Sequence, residues 1–240
     1  MTIAIVFSSW LMFHTFSYNG DTHEMRISYK LWSDFGAHVP LIRSFSLGDN
    51  LSRLSRGLMP EYPIFPREPI RYHFLFYMIV GLLEKLGLRI DWALNVPSIL
   101  GFTMLLVSVY ILARKLTGST AAALLTILFF LFNGSLGFIR FFTLHSLSPQ
   151  TFMDIIHAKD FPAFAPWGPG EITAFWNLNI YTNQRHLAGA FSLVILFILT
   201  CLHVERAPYK KQLPWAIGWS IVLGSLPYFH QPTLLIAGVV

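Results

Sequence analysis

The chain carries uncharged stretches longer than a water-soluble domain usually has. Residues 92–113, 22 in all, separate Asp91 from Arg114 without one Asp, Glu, Lys or Arg, and 24 more, 116–139, separate Lys115 from Arg140. From Gln212 to Val240 no such charge occurs. About 20 apolar residues in a helix cross a hydrocarbon core of roughly 30 Å, and in that medium a lipid-exposed backbone must satisfy its own polar groups. The pattern predicts an all-α fold, a polytopic transmembrane helix bundle forming one domain over residues 1–240. Charged residues make up 12% of the chain, half the roughly 25% of soluble domains, which agrees. The net charge of +5 would suggest nucleic acid in a soluble protein. Here it reads as basic loops that orient the chain and touch membrane lipid, and no nucleic-acid partner is expected.

Residues 1–19 are uncharged, lack the basic start and small-residue cleavage site of a secretory signal, and read as a first span. The segment after Ile70 decides the topology. Its apolar core, Phe74 to Leu83, is ten residues long and runs into Glu84, Lys85 and Arg89. A run of that length suits an interfacial helix better than a span. With residues 70–88 on the surface, both basic clusters, Arg114–Lys115 and Arg206–Lys210–Lys211, fall on the cytoplasmic side, as the positive-inside rule requires. The expected spans are residues 2–18, 92–113, 116–139, 187–204 and 213–229, with an incomplete one from 232. Residues 19–91 and 140–186 become external loops. The chain stops within an apolar run, so it is expected to be the N-terminal part of a longer protein.

In the first loop, Ile27, Leu31, Phe35, Ile42 and Phe45 recur at helical spacing and predict an amphipathic helix on the membrane, bent at Pro40. Asp34 and His38, four apart, share one face of it. Pro60, Pro63, Pro66 and Pro69 at strict threes favour an extended, polyproline-like backbone. Asp21, Thr22, His23 and Glu24 form a second polar cluster, a metal site by residue type, with headgroup contact the favoured reading. In the second loop, Asn177, Asn179, Asn183, Gln184, Arg185 and His186 crowd before a span, with Trp176 and Tyr181 among them. Amides with aromatics suit sugar hydroxyls and ring faces; an interfacial aromatic belt has the same composition.

The pieces Ser33-Asp34-Phe35-Gly36-Ala37-His38 with Arg43, Ile70-Arg71-Tyr72-His73-Phe74-Leu75-Phe76-Tyr77, Asn95-Val96-Pro97-Ser98 and Ala113-Arg114-Lys115-Leu116-Thr117-Gly118 stand in an order that resembles the GT-C superfamily of membrane glycosyltransferases. The nearest likeness is to the bacterial branch related to protein O-mannosyltransferases and aminoarabinose transferases, over about residues 1–140. The resemblance implies a multi-pass protein of a bacterial plasma membrane, active face outside, that transfers a sugar from a polyprenyl-phosphate-linked donor to an acceptor (a glycan, lipid or protein), with Asp34 as catalytic base or metal ligand. The superfamily's commoner Asp-Glu pair is absent, since Phe35 follows Asp34. The chemistry is compatible. An attacking hydroxyl needs a carboxylate for its proton, with His38 beside it, and a departing phosphate needs cations. Arg43, Arg71 and Arg185 are candidates, guanidinium matching phosphate geometry. Tyr72, His73, Trp176, Asn183, Gln184 and His186 complete the expected substrate-binding set. A divalent metal would draw on Asp34 and Asp154, with Asp160 and Glu171 as further acids. Two other classes stay open: a transporter or channel fragment, for which the spans hold few polar residues and no acid, and a non-catalytic membrane protein using its loops for binding or assembly.

Overall fold

The computed structural model describes every residue except 29, 30, 134–141, 143–145, 158–175, 206, 207 and 240, and the side chains of Trp32, Ser33 and Trp176. Its centre is a 28-residue helix, Ile90–Thr117. Asp91 in its first turn and Arg114 and Lys115 in its last complement the helix dipole. Gly118 ends it in the left-handed conformation (φ 68°), its N–H donating to the Arg114 carbonyl at 2.8 Å, a geometry other residues adopt at a cost. In chain order the elements are α1 (Thr2–Thr15), β1 (Phe16–Asn19), β2 (Glu24–Ile27), α2 (Trp32–Ser46), α3 (Asn50–Ser55), β3 (Glu61–Tyr62), β4 (Phe65–Pro69), α4 (Leu75–Lys85), α5 (Ile90–Thr117), α6 (Thr120–Leu131), α7 (Pro149–His157), α8 (Trp176–Asn183), α9 (Arg185–Val204) and α10 (Tyr209–Val239). The described residues are thus mostly helical, with two antiparallel hairpins added.

Helices α1, α6 and α9 pack on α5, and α10 packs on α9. The α5–α9 crossing is close because both sides lack a side chain: a Cβ on Gly101 would lie 3.0 Å from the Gly189 nitrogen. Leu11, Met12, Phe102, Leu105 and Ala188 fill the interior between α1, α5 and α9. Two described helices, α5 and α9, are long and apolar enough to cross a membrane, and α1 and α6 are shorter apolar helices. Helix α10 breaks at His230 (φ −165°, ψ 100°), between the two segments expected there.

A second layer covers the start of α5. Helix α4 lies against α2, and Phe35, Ile42, Phe45, Tyr77 and Val80 are buried between them. Gly81 permits the contact, since a Cβ there would sit 2.7 Å from Phe45 Cβ and 2.8 Å from the Ile42 carbonyl oxygen. Glu84 ties the far end, accepting from Ser46 Oγ at 2.5 Å and pairing with Arg43 Nε at 3.0 Å.

Four local expectations change. The first helix ends at Thr15, because Phe16 turns extended (φ −148°, ψ 113°) and pairs with Ile27 across the β1–β2 hairpin. Ile27 therefore belongs to a strand and not to the amphipathic helix, which starts at Trp32. The proline-spaced segment is a hairpin, Glu61 opposite Pro69 and Tyr62 opposite Phe65. Asn50 fixes it: its side chain donates to the Glu61 carbonyl and accepts from the Glu61 N–H, both at 2.8 Å. The surface helix expected over 70–88 is helical only over Leu75–Lys85, about 16 Å at 1.5 Å per residue.

Gly81→Ala is expected to destabilise the α2–α4 layer by about 1–3 kcal/mol through overpacking. Gly36→Ala, in a helix with nothing within 4 Å of its Cβ position, should be neutral or stabilising. Thermal unfolding of the two variants beside the parent, followed by tryptophan fluorescence, makes the comparison.

Candidate functional site

Helix α2 carries Asp34 and His38 one turn apart, and its inner face is fixed by Phe35, Leu41 and Ile42 in the core. The two polar residues therefore face a cavity of about 530 Å³, within the usual range for small-molecule sites. Ala37 and Leu41 of α2 share that wall; Tyr62, Phe65, Glu68 and Pro69 of the β3–β4 hairpin, with Arg71 and Tyr72, form the other. Gln184, at the joint between α8 and α9, closes it, its Nε2 donating to Asp34 Oδ2 at 2.9 Å. The cavity thus draws on both of the expected loops.

Five of the residues read from the sequence meet here: Asp34, His38, Arg71, Tyr72 and Gln184. Burial holds the Tyr72 phenol up at about 12, with the Asp34 carboxylate adding to the rise, so it is a hydrogen-bond donor at neutral pH. Arg71 is exposed and sits 3.7 Å from Glu68. Burial pushes His38 down to about 4, the nearby Asp34 opposing and Arg185 reinforcing. Its imidazole is neutral at pH 7 and lies 4.8 Å from the Tyr77 ring.

The other candidates lie elsewhere. Arg43 is turned to Glu84 on α4, so it is neither a ligand in the cavity nor the partner of Asp34. Arg185 points away from the cavity into the protein and is 3% exposed. Its Nε donates to the Thr182 carbonyl at 3.1 Å, one terminal nitrogen donates to Asn95 Oδ1, and the other to Thr15 Oγ1 at 3.1 Å and the Met12 carbonyl at 3.3 Å. Its guanidinium lies 5.3 Å from the Phe35 ring centre. Among the described residues no carboxylate pairs with it. Its role here is to join α1, α5, α8 and α9, and phosphate neutralisation would need it to leave that network. His73 and His186 lie beneath the cavity in a histidine cluster: His73 is 4.2 Å from His186 and 5.2 Å from His230, ring centre to ring centre, and Tyr77 Oη meets His186 Nδ1 at 3.1 Å. His73 Nε2 and Asn183 Oδ1 are buried without a hydrogen-bond partner among the described residues. Trp176 starts α8, but its side chain, like Asp160 and Glu171, lies outside the described residues.

Asp154 sits half-buried on α7, accepting from Gln150 at 3.0 Å, and Phe152, Ile155 and Ile156 of that helix line an apolar cavity with the start of α1. The structure does not bring it to Asp34. Among the described residues no group of three or more His, Cys, Asp or Glu is placed to hold a metal ion. The cluster at residues 21–24 is an exposed hairpin turn, where Tyr18 Oη and His23 Nδ1 are 2.8 Å apart. Tyr62, Phe65 and Glu68 escaped the sequence reading, and the regular prolines around them were the one local sign that this segment is held rigid. The chain matches no family model, no curated protein and no solved structure.

The buried neutral histidines make stability pH-dependent. His38 is held near 4 and His73 near 3, burial being the main cause for both, against about 6.5 in an unfolded chain. Below pH 6.5 the unfolded chain takes up protons that the folded one does not, so stability falls as pH drops towards those lower values. The melting temperature is expected to be lower at pH 4.5 than at pH 7.5, and the drop to be smaller in a His38→Gln/His73→Gln variant, as read by thermal unfolding across that range.

A second expectation concerns Arg185. Replacing it with Met removes the donor to Asn95 Oδ1 and to three further acceptors, and should lower stability by about 3 kcal/mol or more. Arg185→Lys should recover only part of this, because an ammonium cannot reproduce the fork. Denaturant titration of both variants tests it.

Proposed function

We propose that this chain carries the reaction-bearing loops of a multi-pass membrane glycosyltransferase, which moves a sugar from a polyprenyl-phosphate-linked donor to an acceptor at the external face. The observation that carries the reading is the Asp34 carboxylate, oriented by Gln184 inside a polar and aromatic cavity that both external loops build. Such a carboxylate can accept the proton of an attacking hydroxyl as the bond to the sugar carbon forms and the bond to phosphate breaks. Arg71, exposed at the cavity, is the cation available to the leaving phosphate. Tyr72 and Gln184 supply donors for hydroxyl groups.

The membrane setting has its own support. A core helix of a soluble protein is mostly buried, whereas 39% of the apolar window in α5 and 22% of that in α9 are buried. Leu124 and Phe129 on α6 and Ile221 on α10 are strongly exposed, which in water would be a large apolar surface without cover. Lipid contact accounts for these faces, and the short amphipathic α4 is then interfacial.

Asp34→Asn keeps size and removes charge, and should lower sugar transfer from a polyprenyl-phosphate donor by about 10²-fold or more. Gln184→Leu should have a smaller effect of the same sign, and Asp21→Asn, on the exposed hairpin turn, should leave transfer near normal. Radiolabelled transfer in membranes containing each protein, with folding checked by unfolding temperature, gives the comparison. Normal transfer by well-folded Asp34→Asn protein would remove the assignment.

A further inference from the structure

The cavity has two unlike walls. One is α2 with Gln184 at the head of the apolar helix α9. The other is the β3–β4 hairpin, and all five residues of β4 are exposed. Tyr62 and Phe65, facing across the hairpin turn, have nearly parallel rings, with centres 5.9 Å apart and planes 20° apart. Phe65 is 63% exposed, so the ring contributes little to the core, yet the segment that bears it is held firmly. Asn50, 4% exposed, clasps Glu61 through two hydrogen bonds. Arg53 pairs with Glu61 at 2.9 Å, and the Ile70 N–H donates to the Pro60 carbonyl at 2.9 Å. An exposed phenyl ring stacked on a half-buried tyrosine that the core holds in place, both beside a polar cavity, is a recognition surface arranged before the ligand arrives.

We infer that this hairpin is the platform for the pyranose ring of a carbohydrate acceptor. The C–H groups on one face of a sugar ring lie flat on an aromatic face, while hydroxyls at the edge need planar hydrogen-bonding partners. Here Glu68, Arg71, Gln184 and Asp34 lie around the same cavity. The donor is tied to the bilayer and approaches from the apolar helices, on the Asp34 and Gln184 side. The exposed hairpin is left for the reactant that arrives from water. Assignment of the ring to the acceptor rests on the transferase reading above; binding of a sugar ring to Tyr62 and Phe65 does not.

The protein in lipid nanodiscs free of glycoside detergent is titrated with methyl pyranosides and their disaccharides, and saturation-transfer NMR reads which ring protons touch it. Transfer to the C–H protons of one ring face is expected. Affinity should drop about tenfold in Tyr62→Ala/Phe65→Ala, as loss of two aromatic contacts implies. It should be retained in Phe65→Trp and in Asp21→Asn, the latter on the exposed hairpin turn and outside the cavity lining. An unchanged melting temperature for the Phe65 variants shows that the fold is intact. Saturation transfer unaffected by the double substitution, absent with every pyranoside, or seen only with a tyrosine- and proline-containing peptide overturns the inference. Sugar binding that follows the hairpin in a protein with no glycosyl transfer leaves the platform standing and removes the transferase reading; transfer that needs Asp34 and ignores the hairpin does the reverse.

Discussion

The arrangement depends on one buried cation that pairs with no anion among the described residues. Arg185 is held by oxygen atoms of Met12, Thr15, Asn95 and Thr182, so the ends of α1 and α8 and the first turns of α5 and α9 meet at one side chain. A guanidinium in a low-dielectric interior is costly unless its N–H groups are used. The same Asn95 donates to the Phe16 carbonyl at 2.8 Å, and so pins the place where α1 becomes a strand. A buried carboxylate would have supplied attraction with less geometry. Neutral acceptors must each be in position, which makes the network a demanding specification of how these elements join.

Consecutive residues at this joint serve different layers. Gln184 reaches the cavity, Arg185 the interior of the long helices, and His186 the Tyr77 hydroxyl on α4. The cavity therefore rests on the helices below and is not merely hung on a loop. Asp91 does similar work at the head of α5, accepting from Arg89 at 2.6 and 2.9 Å and from the Tyr18 N–H at 3.1 Å. It anchors the first hairpin to the helix that everything else packs on.

Helical character was legible where it is written locally. Unbroken apolar runs gave the long helices, and four-residue spacing put Asp34 and His38 on one face. What stayed hidden depends on partners far along the chain. Ile27 fits a helical apolar pattern as well as a strand, and only pairing with Phe16 decides between them. Arg43 and Arg185 look alike as phosphate ligands until Glu84 and Asn95 are seen beside them, the latter 90 residues away. Tyr62, Phe65 and Glu68 enter the cavity because Asn50 folds the hairpin back. No periodicity announces a clasp made by a single amide.

The close crossing of Gly101 and Gly189 takes on a further meaning with the joint in view. Two helices in backbone contact have no soft side chains between them to absorb a displacement. Gln184 stands one residue before the helix that carries Gly189. A tilt or slide of α9 against α5 would reach the Gln184–Asp34 hydrogen bond through a short, stiff path. On the membrane reading proposed above, a change in bilayer thickness is one such displacement, and lipid composition then acts as a dial on the site.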